Sequence, residues 1–179
     1  SLARIYMADK KLEKAISQYE ALLNADPKQT APHMFLGMIY EGRKQYDLSE
    51  TQYRAALDIN PKFAPAANNL AFMLADQDKN LNEALDFARI AREKLPNDPN
   101  VIDTMGWVYY KRGLYDSAIS EFSDSLAKIP QNPSVNYHLG MAYYKKGDPE
   151  QARTYLEKAL NISDSFDGAP EAKQVLAGF

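Results

Sequence analysis

A chain of 179 residues, 45% hydrophobic and 25% charged, is long enough to bury a substantial core and too apolar for intrinsic disorder. Its formal net charge of -3 is thinly spread, and with no run of lysine or arginine neither nucleic acid nor an anionic membrane surface is expected as a partner. The absence of cysteine excludes disulfides, thiolate catalysis and thiolate metal sites; no segment nears the roughly 20 apolar residues of a membrane helix, and SLARIYMADK lacks the apolar stretch of a signal peptide.

The chain repeats itself. LARIYMADK from Leu2, LGMIYEGR from Leu36, LAFMLADQ from Leu70, MGWVYYKRGLYDSAISEF from Met105 and LGMAYYKKGDPEQARTYL from Leu139 follow at steps of 34, 34, 35 and 34 residues, with Pro27, Pro61, Pro96 and Pro130 on the same beat. In chain order, residues 1–29 make a partial first repeat that begins inside its first helix, as in a chain cut from a longer array. Residues 30–63, 64–98, 99–132 and 133–166 make the second to fifth repeats, and 167–179 a capping helix.

Each full repeat predicts two helices. The first carries apolar and small residues at i, i+1 and i+4: Leu36, Gly37 and Tyr40; Leu70, Ala71 and Leu74; Met105, Gly106 and Tyr109; Leu139, Gly140 and Tyr143. The second carries a small then a large residue four apart, as in Ala118 and Phe122 or Ala152 and Leu156; Ser49 takes the small position in its repeat, and the half-repeat supplies Ala15 and Tyr19. Breakers stand between them: EGRK, KRG and KKGDP after the first helix, ADPKQ, INPKF, LPNDP and IPQNP after the second. The third repeat gains a residue around DKNLN, which predicts a longer turn. An amphipathic pair cannot bury its apolar face alone, so successive pairs must stack, and the fold class is an all-α solenoid of antiparallel helix pairs.

This pattern of leucine and glycine, a tyrosine three on, then alanine, an aromatic and a proline resembles the tetratricopeptide repeat (TPR), from Leu2 to about Asp164. The resemblance implies a right-handed superhelix whose concave groove is lined by the first helix of each pair and binds peptides or helices. NNLAFMLAD, NLNEALDFARIAREKLPNDPNVIDTMGWVYYKRG and NYHLGMAYYKKGDPEQARTYLEKAL also resemble the C-terminal repeats of bacterial envelope TPR proteins, including lipoproteins of exopolysaccharide export and protein sorting. That likeness implies a bacterial source and favours a periplasmic or envelope location over a cytoplasmic one.

Catalytic constellations are scarce. His33 and His138 have no second ligand at metal spacing and are expected on helix surfaces; no phosphate loop or cofactor motif occurs, so no enzyme activity, metal or cofactor is expected. Recognition is the chemistry the sequence does suggest. Opposite the packing face, roughly 200° around each first helix, lie Met34, Phe35 and Met38; Asn68, Asn69 and Phe72; Asp103, Trp107, Tyr110 and Lys111; and Tyr137, His138, Met141 and Tyr144. Glu41, Asp76, Asn100 and Ser134 fall on the same faces.

These residues are the expected partner-binding groove, rich in aromatic and methionine side chains. The alternative is that a tight superhelix packs them between repeats. Lysine and arginine are too few at inner positions for a clamp on acidic chaperone tails, so an apolar or mixed protein or peptide ligand is expected. Anchoring is expected from Phe72, Trp107, Tyr110 and Tyr137, with Trp107→Ala weakening capture by about 2 kcal/mol or more and leaving the helical melt almost unchanged. The leading function is a non-catalytic scaffold supporting assembly of a larger complex; the alternatives are a self-associating scaffold or a part of an envelope secretion apparatus.

Overall fold

The computed structural model describes residues 11–179, so the half-helix expected from Leu2 lies outside the described residues. Within them the chain is all helix and turn: α1 Leu12–Ala25, α2 Thr30–Gly42, α3 Tyr46–Ile59, α4 Ala64–Asp76, α5 Leu81–Lys94, α6 Pro99–Lys111, α7 Tyr115–Lys128, α8 Pro133–Lys146, α9 Pro149–Ile162 and α10 Ala169–Leu176. The two helices of a pair start differently. The second helices carry an acid in the first turn (Glu13, Asp47, Glu83, Asp116 and Glu150), where it meets the positive end of the helix dipole. Three of the first helices, α4, α6 and α8, have no acid there and open with a proline, as the second helix α9 also does, and proline gives up no hydrogen bond at that position.

Within each pair the turn is one device used four times. A residue with positive φ ends the first helix, at Lys44, Asp78, Gly113 and Gly147, and the amide that follows returns to a carbonyl five residues back, as in Gln45 to Tyr40 at 2.9 Å and Leu114 to Tyr109 at 2.9 Å. The extra residue of the third repeat sits in this turn, between Asp76 and Leu81, where Asn80 adds a second left-handed residue.

Packing is densest within the pairs α2–α3, α4–α5, α6–α7 and α8–α9, then between each second helix and the next first helix. First helices also touch one another, α2 to α4, α4 to α6, α6 to α8 and α8 to α10, whereas second helices stand further apart and meet through long side chains, as where Arg54 of α3 bonds Glu83 of α5 at 2.7 Å and Arg92 of α5 lies 3.7 Å from Glu121 of α7. The array therefore curves with its first helices inside, as an α-solenoid. Its core runs unbroken from Met34 to Ala172, with a smaller cluster of Ala15, Ile16, Tyr19, Leu36 and Ile39 between α1 and α2.

Three of the four pairs close by matching a small residue with a large one. Gly37 faces Tyr53, Gly106 faces Phe122 and Gly140 faces Leu156, while the third repeat has buried Ala71 and Ala88 at these positions; Tyr53, Ala88, Phe122 and Leu156 are all at most 1% exposed. Ser49, at a position held elsewhere by alanine, is 0% exposed and donates its hydroxyl to the Gly37 carbonyl at 2.9 Å, so the buried oxygen is satisfied. Leu22 is accommodated differently, 38% exposed at the end of α1.

The close approach has a measurable consequence. A Cβ built on Gly106 would lie 2.6 Å from the Phe122 ring and 3.2 Å from Glu121 Cβ. Gly106→Ala is expected to lower stability by about 1–3 kcal/mol, read from urea unfolding followed by circular dichroism; a variant as stable as the parent would show that the pair can open without cost.

Candidate functional site

The inner surface is built from two series of positions on the first helices. One lies two residues after the leucine-like position and holds Met38, Phe72, Trp107 and Met141; the other lies two and three residues before the packing glycine or alanine and holds Met34–Phe35, Asn68–Asn69, Asp103–Thr104 and Tyr137–His138. Because neighbouring first helices touch, a side chain at these positions can meet its counterpart one repeat along.

At the centre the counterparts form an aromatic cluster. Trp107 stacks on Tyr110 of its own helix (centroids 4.9 Å apart, 15°) and on His138 of α8 (4.3 Å, 29°), with Phe72 of α4 at 6.3 Å. His138 is ringed further by Phe122 and Tyr137, at 5.4 and 5.5 Å. Its Nδ1 lies 2.9 Å from Asp103 Oδ1, with the two side chains only 8% and 13% exposed. The expectation that His138 lies on a helix surface is therefore corrected: α8 turns this position onto the rings of α6 and α7. His33 is half-buried, its Nδ1 2.7 Å from Gln52 Oε1. Among the described residues no group of three or more histidine, aspartate or glutamate side chains is placed to hold a metal ion.

The structure brings Phe72, Asp103, Trp107, Tyr110, Lys111, Tyr137 and His138 around one cavity of about 570 Å³. Met38 and Asn69 line a second cavity of about 440 Å³, which Phe72 shares with the first. Met34, Phe35, Asn68, Met141 and Tyr144 line neither. Met34 and Met141 are core, 9% and 1% exposed; Phe35 turns back to stack on Tyr19 at 5.2 Å; half-buried Asn68 donates to Asn69 at 3.4 Å; and Tyr144, 41% exposed, meets Phe179 edge-on at 5.8 Å.

The cavity also takes residues from the C-terminal segment. Phe166, Asp167, Gly168 and Glu171 form one side of it. The Tyr137 ring lies against Gly168 Cα, Phe166 is 5.7 Å away, and the Tyr137 hydroxyl donates to Glu171 at 2.6 Å. Burial, then the hydrogen bond to Glu171, push the Tyr137 phenol well above its ordinary range. Reading residues 167–179 only as a cap on the last layer misses these contributions. The period signals them: Glu171 stands 34 residues after Tyr137, continuing the series Met34, Asn68, Asp103, Tyr137.

Trp107 is 6% exposed within this cluster. Its removal is thus expected to open a void, so the unchanged melt expected for Trp107→Ala gives way to a loss of about 3 kcal/mol or more. Chemical denaturation followed by circular dichroism checks this; a fully stable variant would place the indole outside the core.

Comparison with known proteins agrees with this architecture. A TPR repeat-containing protein of Pseudomonas aeruginosa is 30% identical over 62% of this chain, and the chain spans 22%, about a fifth, of that relative's length. Among solved structures, PilW, a type IV pilus biogenesis factor, superposes with a TM-score of 0.81 at 23% identity, covering 99% of this chain and 86% of that one. YrrB, a TPR protein with an unusual peptide-binding site, gives 0.70 at 23% identity, covering 96% and 88%. PilF of Pseudomonas aeruginosa gives 0.76 at 21% identity, covering 99% and 85%. Two sequence profiles, both described as tetratricopeptide repeat, match residues 1–64 and 109–177, well over half of the residues between them. With four stacked helix pairs, three of them closed by small-to-large contacts, the chain belongs to the tetratricopeptide repeat family.

Proposed function

We propose that the chain is a non-catalytic scaffold that binds a peptide or helix of a protein partner along its inner surface and so supports assembly of a larger complex. One observation carries this reading. Two adjoining cavities lie along the first helices, sharing Phe72, Asp76 and Asp167, and on their lining Phe72 and Tyr110 stay half-buried while Asp76 and Asp167 stay exposed. Tyr110, half-buried on this wall, offers a large contact area at low entropic cost, and 41%-exposed Met38 adapts to irregular partners. The peptide-binding site of YrrB and the pilus-biogenesis role of PilW support a role in protein recognition, with envelope assembly as one setting. Repeats 30–63, 64–98, 99–132 and 133–166 are the proposed units, with 167–179 closing the array.

Selection from a displayed peptide library tests the reading. Peptides of roughly micromolar affinity, about -8 kcal/mol, are expected to lose about tenfold in affinity on Tyr110→Ala, with the variant still folded and losing less stability than Trp107→Ala. Peptides that bind this variant and the parent equally would move the site off the inner face. Sedimentation over a range of concentrations is expected to give a constant monomer mass; growth with concentration would favour the self-associating scaffold instead.

A further inference from the structure

The inner surface has a charge as well as a shape. The larger cavity carries Asp76, Asp103, Asp167 and Glu171 against one ammonium, Lys111, which is already bonded to Asp78 at 2.9 Å. Asp103 and Glu171 are engaged, by His138 and by the Tyr137 hydroxyl. Asp76 and Asp167 are not: both are exposed, both belong to the two cavities, and neither accepts a hydrogen bond or forms an ion pair among the described residues. The smaller cavity adds Glu41 and a single Lys44. The net charge of the whole chain is only -3, so this excess of carboxylates is concentrated where the first helices converge.

Two further observations bear on what enters. The aromatic wall already holds a cation, since Lys111 Nζ lies 5.6 Å from the centre of the Trp107 ring. Trp107 itself lines the cavity, 6% exposed, and its buried Nε1–H donates to nothing among the described residues. The field is visible in the phenols. Burial first, then Glu171 with smaller contributions from Tyr115 and Asp78, hold the Tyr110 hydroxyl protonated far above its ordinary range.

We propose that this cavity receives a lysine or arginine side chain from a basic segment of the protein partner, its cation meeting Asp76 and Asp167 and its alkyl stem lying on Phe72 and Tyr110. The inference rests on the inner surface being the partner-binding face and adds the chemistry of the partner. A long basic side chain suits the place because its stem covers apolar surface while its head reaches the carboxylates. An acidic segment would meet like charge at every carboxylate of the lining.

Three synthetic peptides of equal length test it: one lysine-rich, one with glutamate in place of each lysine, and one of leucine and serine. Binding is read from the emission of Trp107, the only tryptophan, and from backbone amide shifts mapped by nuclear magnetic resonance. The lysine-rich peptide is expected to bind, to perturb Trp107 and the amides of α4, α6 and α8, and to weaken steeply with salt. Asp76→Asn with Asp167→Asn is expected to weaken it about tenfold or more, while Asp58→Asn with Asp124→Asn on the outer helices α3 and α7, the same change of charge elsewhere, leaves it unaltered. If the leucine–serine peptide binds the inner face as well as the lysine-rich one, indifferent to Asp76→Asn and Asp167→Asn, the cation inference fails and the binding face stands. If the lysine-rich peptide fails to bind at millimolar concentration, or shifts only outer-helix amides, the inference also fails. If none of the three perturbs the inner face, the binding-face reading fails with it.

Discussion

Helix pairs in this chain close at a distance set by one small residue in each first helix, Gly37, Ala71, Gly106 or Gly140, and by what the second helix places opposite. Where the first helix gives up its side chain, the second fills the space with Tyr53, Phe122 or Leu156; where it keeps a methyl group, the second retreats to Ala88. Volume is conserved across the pair, as interior packing requires. A pair built this way is narrow, and its remaining apolar surface faces forward and backward along the chain, not outward. Stacking is the only way to cover it.

Stacking then decides what is left on the inner wall. A first helix shows one stripe to its own partner, another to the preceding second helix and a third to its neighbouring first helices. The third stripe is where Phe72, Trp107 and His138 meet. Packing absorbs part of this cluster: Trp107, Tyr137 and His138 are each 6% exposed. They stiffen the wall, with Asp103 held by His138 and Glu171 by the Tyr137 hydroxyl, while Phe72 and Tyr110 stay half-buried and Asp76 and Asp167 stay exposed along it.

The period made the fold legible, because a step of 34 or 35 residues aligns glycine, aromatic and proline positions whose roles are steric and local. The longer turn at DKNLN was equally visible, as one residue added to a fixed count. The inner wall was legible only as a direction. Register says which way Trp107 points from its helix axis, but its burial is set by how near α8 comes, which depends on His138 and the tilt between pairs. Met34 and Met141 show the same limit: their helical phase matches that of exposed Met38, yet the neighbours close over them. Phe35 lies at the edge of the stripe, where Tyr19 of the preceding helix captures it. The part played by Asp167 and Glu171 was hidden because the segment around them lacks the hydrophobic signature of a repeat while keeping its step along the chain.

Among the described residues the outer helices α3, α5 and α7 pack on first helices and reach one another through long side chains, Arg54 to Glu83 and Arg92 to Glu121. Mechanically this makes the array a spring with a packed inner seam and an outer edge laced by ion pairs. A small rotation at any junction changes the spacing of the outer helices and is met there by long ion-paired side chains instead of packed backbone, and rotations at successive junctions add. The width of the inner cleft follows the sum of these rotations, and is therefore set by the ion pairs of the outer edge as well as by the aromatic seam within.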